Sequence, residues 1–200
     1  MAKLKFYYST MRAGKSTLAL QINDNYQKVG RIGVLFTSNS RSGRSCIESR
    51  IGLSKEATNI NKTFDIYGHV KELSKLFHID YMIFDDVQFY TAKQINQIAD
   101  LVDEFDIDCF CFGLKTDFRG VMFESAVRLM EIADEIKEIE VKALCWCGKK
   151  GVFNARIDDL GYMVYVGEVE VIGDSQYEVL CREHFNKGMT LRAAKDDGFV

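Results

Sequence analysis

Near its N-terminus the chain contains Leu4-Lys5-Phe6-Tyr7-Tyr8-Ser9-Thr10-Met11-Arg12-Ala13-Gly14-Lys15-Ser16-Thr17, and this segment is the starting point for predicting the fold class. Its apolar first half predicts a buried strand, and the residues after Gly-Lys-Ser predict a helix. Strand, tight loop, Gly-Lys-Ser and helix is the layout of a phosphate-binding loop. In such a loop, backbone N–H groups and the helix dipole face an anion, a lysine reaches the outer phosphates, and a hydroxyl binds Mg²⁺. Ser9 stands where the usual pattern has its first glycine, so a helix start with an exposed lysine is the alternative.

Composition places this chain among ordinary globular proteins. It has 200 residues, 47% of them hydrophobic and 28% charged, with a net charge of −3. These values predict one domain with room for a small appendage, and they do not indicate a nucleic-acid-binding surface. The first residues lack the apolar core of a secretory signal, and no apolar run reaches the length of a membrane span. We therefore expect a cytoplasmic protein without membrane or nucleic-acid partners, whose six cysteines are metal ligands or buried thiols.

An acidic strand end forms the second half of the expected site. The segment 79–86 is an apolar strand that ends in Asp85 and Asp86. A carboxylate at this position can bind Mg²⁺ directly or through water. Ligands of open α/β sheets collect at the carboxyl ends of the strands, so we expect this end to meet the Gly14 loop. Two acidic residues that merely open a turn are the alternative.

Alternating apolar strands and amphipathic helices indicate an α/β fold, with a largely parallel sheet flanked by helices in the P-loop manner. The predicted strands are 4–8, 32–36, 64–67, 79–84 and 108–113. The predicted helices are 15–29, 70–77, 91–105, which begins with a capping box at Thr91-Ala92-Lys93-Gln94, and 124–132. Cys109 and Cys111 lie two apart on one strand, which indicates core thiols.

Two loops carry residues with either a structural or a functional interpretation. Residues 38–50 are polar and include Arg41, so they form either a solvated loop or one that covers phosphates. Residues 114–123 contain two phenylalanines and basic side chains. These aromatics either fill the core or stack on a flat ligand that has left water.

The C-terminal third changes character. A β-rich tail with glycine turns is predicted to begin at Ile136, and it contains two pairs of soft ligands, Cys145 with Cys147 and Cys181 with His184. Two such pairs separated by a hairpin-sized segment suit a structural tetrahedral zinc site, with unrelated thiols as the alternative. We therefore predict a P-loop α/β domain at 1–140, a small zinc-binding subdomain at 141–188, and a loose tail at 189–200.

Several motifs in order resemble the zinc-containing thymidine kinases, in particular the bacterial and phage branch, where serine often replaces the first P-loop glycine. The similarity covers about residues 3–184. The segments that carry it are 7–17, Phe84-Asp85-Asp86-Val87-Gln88-Phe89, Phe112-Gly113-Leu114-Lys115-Thr116-Asp117-Phe118-Arg119-Gly120, Val171-Ile172-Gly173 with Tyr177, and the two ligand pairs. The resemblance implies ATP-dependent phosphorylation of the 5′-hydroxyl of thymidine to dTMP, a step of nucleotide salvage for DNA synthesis. It also implies a homotetramer that is inhibited by dTTP.

The resemblance further implies a role for each matching position. The residues that would bind ATP are Ser9, Thr10, Met11, Arg12, Ala13, Gly14, Lys15, Ser16, Asp85, Asp86, Val87 and Gln88. The residues that would contact thymidine are Met11, Phe89, Leu114, Phe118, Phe123, Val171, Ile172, Gly173 and Tyr177. Mg²⁺ would be held by Ser16 and Asp85, and Zn²⁺ by Cys145, Cys147, Cys181 and His184. Catalysis would depend on Asp86, Lys15 and Arg41.

Two positions depart from the family pattern. The catalytic glutamate of the family is replaced by Asp86, which is one methylene, or roughly 1.5 Å, shorter. A displacement of about 1 Å can cost on the order of 100-fold in rate, so we expect slow turnover, a compensating backbone shift or a bridging water. The family's Asp-x-Arg pairs best with Asn39-Ser40-Arg41, which keeps the arginine and loses the carboxylate.

Other functions stay open at this point. One alternative is a kinase-like nucleotide-binding protein with weakened or lost activity, because Asp86 and Asn39 both depart from the pattern. Another is a zinc-ribbon ATPase that binds nucleic acid, against which the acidic net charge argues. A different acceptor, such as deoxyuridine, is also compatible with the motifs.

Overall fold

The computed structural model describes residues 1–38, 45–169 and 176–199, and its contacts divide the chain into two compact units. The first unit comprises residues 1–8, 14–114 and 123–139. The second comprises residues 9–13, 115–122 and 140–200. None of the helices in the described ranges has an apolar stretch of the length needed to cross a bilayer.

A six-stranded parallel sheet forms the centre of the first unit, in the order β5-β2-β6-β7-β1-β8. The strands of this unit in chain order are β1 (Leu4–Ser9), β2 (Gly33–Thr37), β3 (Cys46–Glu48), β4 (Ser54–Glu56), β5 (Thr58–Asn59), β6 (Tyr81–Phe84), β7 (Asp108–Leu114) and β8 (Glu135–Glu138). The pair β3 and β4 forms a separate antiparallel hairpin. The predicted α/β class with a parallel sheet is confirmed.

The central strands are covered on both faces. All four residues of β6 are fully buried, which is why this segment is continuously apolar rather than alternating. Cys109 and Cys111 on β7 are also fully buried, and burial raises the pKa of the Cys109 thiol well above its ordinary value. The prediction that these two are core thiols is confirmed.

The α-helices of the first unit in the described ranges are α1 (Lys15–Lys28), α2 (Ile66–Leu73), α3 (Ala92–Phe105) and α4 (Glu124–Ile132). The predicted capping box of α3 is present. The Thr91 hydroxyl oxygen accepts from the backbone N–H of Gln94 at 3.2 Å, and Gln94 Oε1 accepts from the N–H of Thr91 at 3.0 Å. Ile95, Ile98 and Leu101 then face the core.

Two sequence predictions in the first unit are wrong. Residues 64–67 do not form a strand, because the Asp65 side chain accepts from the N–H of Gly68 and caps α2, which buries Ile66 and Val70. The helix therefore starts at Ile66, four residues earlier than predicted. The segment around Ile136 does not open the β-rich tail. It forms β8, which pairs in parallel with β1.

The second unit is built around an antiparallel hairpin of β9 (Phe153–Ile157) and β10 (Gln176–Leu180). Two short helices follow, α5 (Arg182–Asn186) and α6 (Leu191–Asp196). The last residues are therefore not uniformly loose as predicted, because the Thr190 hydroxyl oxygen caps α6 by accepting from the N–H of Ala193 at 3.1 Å. The Glu178 carboxylate also accepts from the N–H of Leu191 at 2.9 Å.

Candidate active site

The predicted phosphate loop has the backbone that anion binding requires. β1 ends at Ser9 and α1 begins at Lys15. Between them Arg12 has φ 64° and Gly14 has φ 76°, both in the left-handed region. When successive residues alternate between right-handed and left-handed backbone conformations, their N–H groups point toward one side and form an anion-binding nest. A Cβ on Gly14 would meet no atom within 4 Å, so this glycine is needed for its backbone conformation rather than for space.

The front half of this loop, residues 9–13, belongs to the second unit and is held there by the hairpin. The backbone N–H of Met11 donates to Asn154 Oδ1 at 2.8 Å, and the guanidinium of Arg12 donates to the carbonyl of Tyr177 at 3.4 Å. Asn154 is only 3% exposed. The sequence did not predict this role of Asn154, because Met11 and Asn154 are 143 positions apart in the chain.

At the carboxyl end of β6, Asp85 lies against the start of α1. Its carboxylate is 2% exposed and accepts a hydrogen bond from the Ser16 hydroxyl. Burial, and then the neighbouring Asp86, raise the pKa of Asp85 to about 7, although Ser16 and Lys15 act in the opposite direction. Within the described residues Asp85 Oδ1 has no hydrogen-bond partner. A buried, unpartnered carboxylate oxygen beside a hydroxyl and a lysine is suited to a divalent cation.

Asp86 is held in a defined orientation by Gln88. Asp86 has φ 53°, an uncommon conformation for a residue other than glycine. Gln88 Nε2 donates to Asp86 Oδ1 at 3.0 Å, while Gln88 Oε1 accepts from the backbone N–H of Leu114 at 3.0 Å. The Gln88 amide thus connects the end of β6 to the end of β7 within one unit. Gly113 leaves room for this bridge, since a Cβ there would lie 2.7 Å from Val87 Cγ2 and 3.2 Å from Gln88 Oε1.

The predicted thymidine-contact residues divide between the two units. In the first unit, Phe89 and Phe123 are half-buried, and their ring centroids lie 6.4 Å apart in an edge-to-face arrangement. Leu114 is half-buried as well and is connected to this region through its hydrogen bond to Gln88. Aromatic edges and faces of this kind suit contact with a planar base.

In the second unit, Phe118 and Tyr177 are joined by Arg156, which the sequence analysis missed. Phe118 is 2% exposed, and the Arg156 guanidinium carbon lies 3.9 Å from its ring centroid. Arg156 also donates to the Tyr177 hydroxyl through Nη2 at 3.1 Å and through Nε at 3.3 Å. No sequence pattern singled out Asn154 and Arg156, because their burial in β9 follows from the fold.

The two predicted ligand pairs come together in the second unit. The ligand atoms of Cys145, Cys147, Cys181 and His184 all lie within 4.8 Å of one another, so the group could hold a metal ion. Cys145 Sγ lies 3.3 Å from Nδ1 of His184. Three soft sulfur ligands and one imidazole are the donor set of a structural tetrahedral metal site.

Some predicted site residues lie outside the described ranges. They are Asn39, Arg41, Val171, Ile172 and Gly173. Their expected roles in phosphate binding and in contact with the base stay predictions.

Comparison with known proteins identifies one family. A family model described as thymidine kinase matches residues 2–185. A thymidine kinase of Cutibacterium acnes is 45% identical over 197 residues, covering 95% of this chain and 91% of that protein. A thymidine kinase of Streptomyces coelicolor is 42% identical over 203 residues, covering 98% of this chain and 94% of that protein. A thymidine kinase of Escherichia coli O157:H7 is 36% identical over 192 residues, covering 94% of this chain and 93% of that protein.

Proposed function

The chain belongs to the thymidine kinase family, and from this premise we propose that it transfers the γ-phosphoryl group of ATP to the 5′-hydroxyl of thymidine. The observation that carries the proposal is the cluster of Lys15, Ser16, Asp85 and Asp86 within one compact unit. Phosphoryl transfer depends mainly on positioning and on neutralising charge, and this cluster offers groups for both.

The phosphate loop would bind the nucleotide. The left-handed residues Arg12 and Gly14 turn backbone N–H groups toward an anion, and α1 places the positive end of its dipole behind them. Lys15 would neutralise charge on the outer phosphates, with Arg41 as a second cation. The loop from Ser9 to Ser16 is therefore proposed as the ATP site, together with Val87 and Gln88, which follow Asp86 in the chain.

The residues present fit a magnesium ion. Asp85 Oδ1 is buried and lacks a hydrogen-bond partner in the described residues, and the Ser16 hydroxyl lies at the same carboxylate. Ser16 and Asp85 would hold the ion, which when bound supplies positive charge next to the phosphate oxygens. A cation would also favour the ionised carboxylate that burial otherwise disfavours.

Asp86 is the proposed general base. As the 5′-oxygen of thymidine forms its bond to the γ-phosphorus, the bond from that phosphorus to the bridging oxygen of ADP breaks. The proton of the hydroxyl passes to the Asp86 carboxylate. The left-handed backbone of Asp86 and its hydrogen bond from Gln88 orient the shorter side chain. We propose these two features as the compensation for the missing methylene.

On the family resemblance, residues of each unit are proposed to contact thymidine. Phe89, Leu114 and Phe123 come from the first unit, and Met11, Phe118 and Tyr177 from the second. The segment Val171-Ile172-Gly173 is proposed to bind the base through main-chain groups, as in the family resemblance. Thymidine is favoured as the acceptor by the names of the relatives, and deoxyuridine is the competing substrate to test.

Zinc is the proposed metal of the Cys145, Cys147, Cys181 and His184 cluster, because three sulfurs and one imidazole match its structural sites. All four ligands are protein groups, so the ion would stabilise the second unit rather than take part in the reaction. We further propose, on the family resemblance, a cytoplasmic homotetramer that is inhibited by dTTP.

The test is ATP-dependent conversion of thymidine to dTMP by the purified protein, followed by chromatography, with deoxyuridine as a competing acceptor. Lys15→Ala should abolish the reaction, whereas Lys93→Ala, which changes an exposed lysine of α3, should leave it unchanged. The alternative of an inactive nucleotide-binding protein rests on Asp86 and Asn39, and the relatives give it no support. Thymidine binding without any turnover by the unmodified protein would nevertheless establish that alternative and overturn our proposal.

A further inference from the structure

Arg156 is a buried cation that makes an unusual set of contacts in the second unit. It lies in β9 and is only 7% exposed. Its Nε and Nη2 donate to the Tyr177 hydroxyl, Nη1 donates to the carbonyl of Glu168 at 2.8 Å, and Nη2 donates to the carbonyl of Val169 at 3.3 Å. Its guanidinium carbon also lies 3.9 Å from the Phe118 ring centroid. One side chain therefore contacts three separate segments of the chain.

These contacts require the planar fork of a guanidinium. The four described hydrogen bonds end on three neutral oxygens, the Tyr177 hydroxyl and the carbonyls of Glu168 and Val169. An arginine can reach such oxygens with several fixed donors while its flat face stacks on an aromatic ring. A lysine ammonium has the same charge but no plane to stack and no fork to span the Tyr177 hydroxyl and two carbonyls. The geometry, and not only the charge, thus selects arginine here.

Two of the groups that Arg156 contacts, Phe118 and Tyr177, are ones that the proposed function assigns to the nucleoside. We propose that Arg156 is a positioning residue for thymidine. It fixes the Phe118 ring, the Tyr177 hydroxyl and the Glu168–Val169 backbone in a single arrangement, and the substrate then finds its contacts already in place. This inference rests on the proposed function.

A positioning role has a kinetic consequence that a purely structural role lacks. If Arg156 orders the nucleoside contacts, its loss should weaken thymidine binding and leave ATP binding largely intact. Lys15, Ser16 and Asp85 belong to the other unit, and the hydrogen bonds from residues 9–13 of the phosphate loop to Asn154 Oδ1 and to the Tyr177 carbonyl do not involve the Arg156 side chain. A general loss of stability would instead lower the amount of folded protein and change all substrates alike. The split between the two KM values therefore separates the two roles.

The experiment compares the unmodified protein with Arg156→Met, Arg156→Lys and Tyr177→Phe. Thymidine KM, ATP KM, kcat, thermal midpoint and metal content are measured, and thymidine binding is followed by calorimetry. Since small displacements of binding groups have large effects, we expect Arg156→Met and Arg156→Lys each to raise the thymidine KM and Kd about 10- to 100-fold. The ATP KM should change by no more than about twofold. Tyr177→Phe, which removes one hydroxyl, should raise the thymidine values about 3- to 10-fold, as expected for one lost hydrogen bond.

The matched control is Arg192→Met, which removes an exposed arginine of α6 in the same unit and should leave every kinetic value unchanged. The inference is overturned if Arg156→Met or Arg156→Lys binds thymidine as tightly as the unmodified protein does. It is also overturned if thymidine and ATP values worsen together with the thermal midpoint. Tyr177→Phe guards against an Arg156 variant that fails to fold, and unchanged thymidine binding in Tyr177→Phe would count against the inference.

Failure of the proposed function has a different signature. If the unmodified protein binds thymidine but does not phosphorylate it, the proposed function fails, and the calorimetric comparison still decides the role of Arg156. If the unmodified protein does not bind thymidine at all, both are overturned.

Discussion

Replacing Gln88 with methionine should show how far activity depends on the orientation of the Asp86 side chain, because Asp86 itself remains in place. Gln88 is 6% exposed, and its amide makes two hydrogen bonds of 3.0 Å, one to Asp86 Oδ1 and one to the N–H of Leu114. Methionine has a similar length and fills the same volume, but it can make neither bond. The Leu114 N–H loses its partner at a half-buried position, which should cost about 1–2 kcal/mol, and loss of the bond to Asp86 should add about 1 kcal/mol, since that carboxylate can be rehydrated. We therefore expect the free energy of unfolding to fall by about 2–3 kcal/mol.

The effect on catalysis should be larger than the effect on stability suggests. Without the Gln88 donor, the Asp86 side chain is no longer held in one rotamer, and a displacement of about 1 Å can reduce the rate on the order of 100-fold. We expect kcat for thymidine to fall by about that factor. The assays are steady-state kinetics at temperatures where the variant is folded, and urea unfolding monitored by circular dichroism.

Gln94 supplies the matched control. It is 2% exposed, and its amide donates to the carbonyls of Asn61 and Phe64, while Oε1 caps α3. Gln94→Met should therefore destabilise the protein by a similar amount without lowering kcat. A Gln88→Met variant that keeps nearly full kcat would refute the argument, and so would an equal loss of kcat in both variants.

Three further predictions concern the metal, the packing at the end of β7, and pH. Chelation of the metal should lower the thermal midpoint and change the fluorescence of Trp146, the single tryptophan, because the centroids of the Trp146 and His184 rings lie 4.1 Å apart in a stacked arrangement. An unchanged emission spectrum would contradict a metal at this site. Gly113→Ala should lower the free energy of unfolding by about 1–3 kcal/mol in urea, because the new methyl would lie 2.7 Å from Val87 Cγ2, and a neutral result would show that the backbone can shift. Two lysine hydrogen bonds lower the pKa of Glu135 to about 2, so the carboxylate stabilises the fold above its unfolded pKa near 4.5 and loses this effect as the pH falls toward 2. The difference in free energy of unfolding between the unmodified protein and Glu135→Gln should thus shrink as the pH falls from 5 to 2. A difference that does not change with pH would contradict this contribution of Glu135.

Sequence reasoning was effective where the signal is local or chemically specific. The strand and the helix on either side of Gly14, the strand that precedes Asp85, and the capping box at Thr91 are each encoded within a few consecutive residues, so they could be predicted without knowledge of the fold. The cluster of Cys145, Cys147, Cys181 and His184 was predictable across a long separation because few residue types bind a soft metal. The chemistry of these side chains was therefore enough to predict that they come together, without knowledge of the fold.

Other features depended on tertiary contacts that no local pattern encodes. The segment 64–67 is too short for the spacing of its apolar residues to distinguish a strand from a helix. The Asp65 side chain caps the helix that begins at Ile66. The alternation around Ile136 does indicate a strand, but its place next to β1 follows from the topology of the sheet. Asn154 and Arg156 resemble ordinary polar residues until the hairpin buries them against partners far away in the sequence.

The identity of the side chain at position 86 tests the account most directly, because a carboxylate there is proposed to accept the proton from thymidine. The measurement is kcat for dTMP formation by the unmodified protein, Asp86→Glu and Asp86→Asn, with thymidine and ATP KM values determined in parallel. Asp86→Asn preserves the size and can still accept the Gln88 hydrogen bond, but it cannot take the proton. Since general base catalysis contributes about 10²- to 10⁴-fold, we predict a loss of at least about 100-fold in kcat for Asp86→Asn, with both KM values nearly unchanged. Asp86→Glu should remain active. An Asp86→Asn variant that turns over thymidine as fast as the unmodified protein would contradict the proposed mechanism.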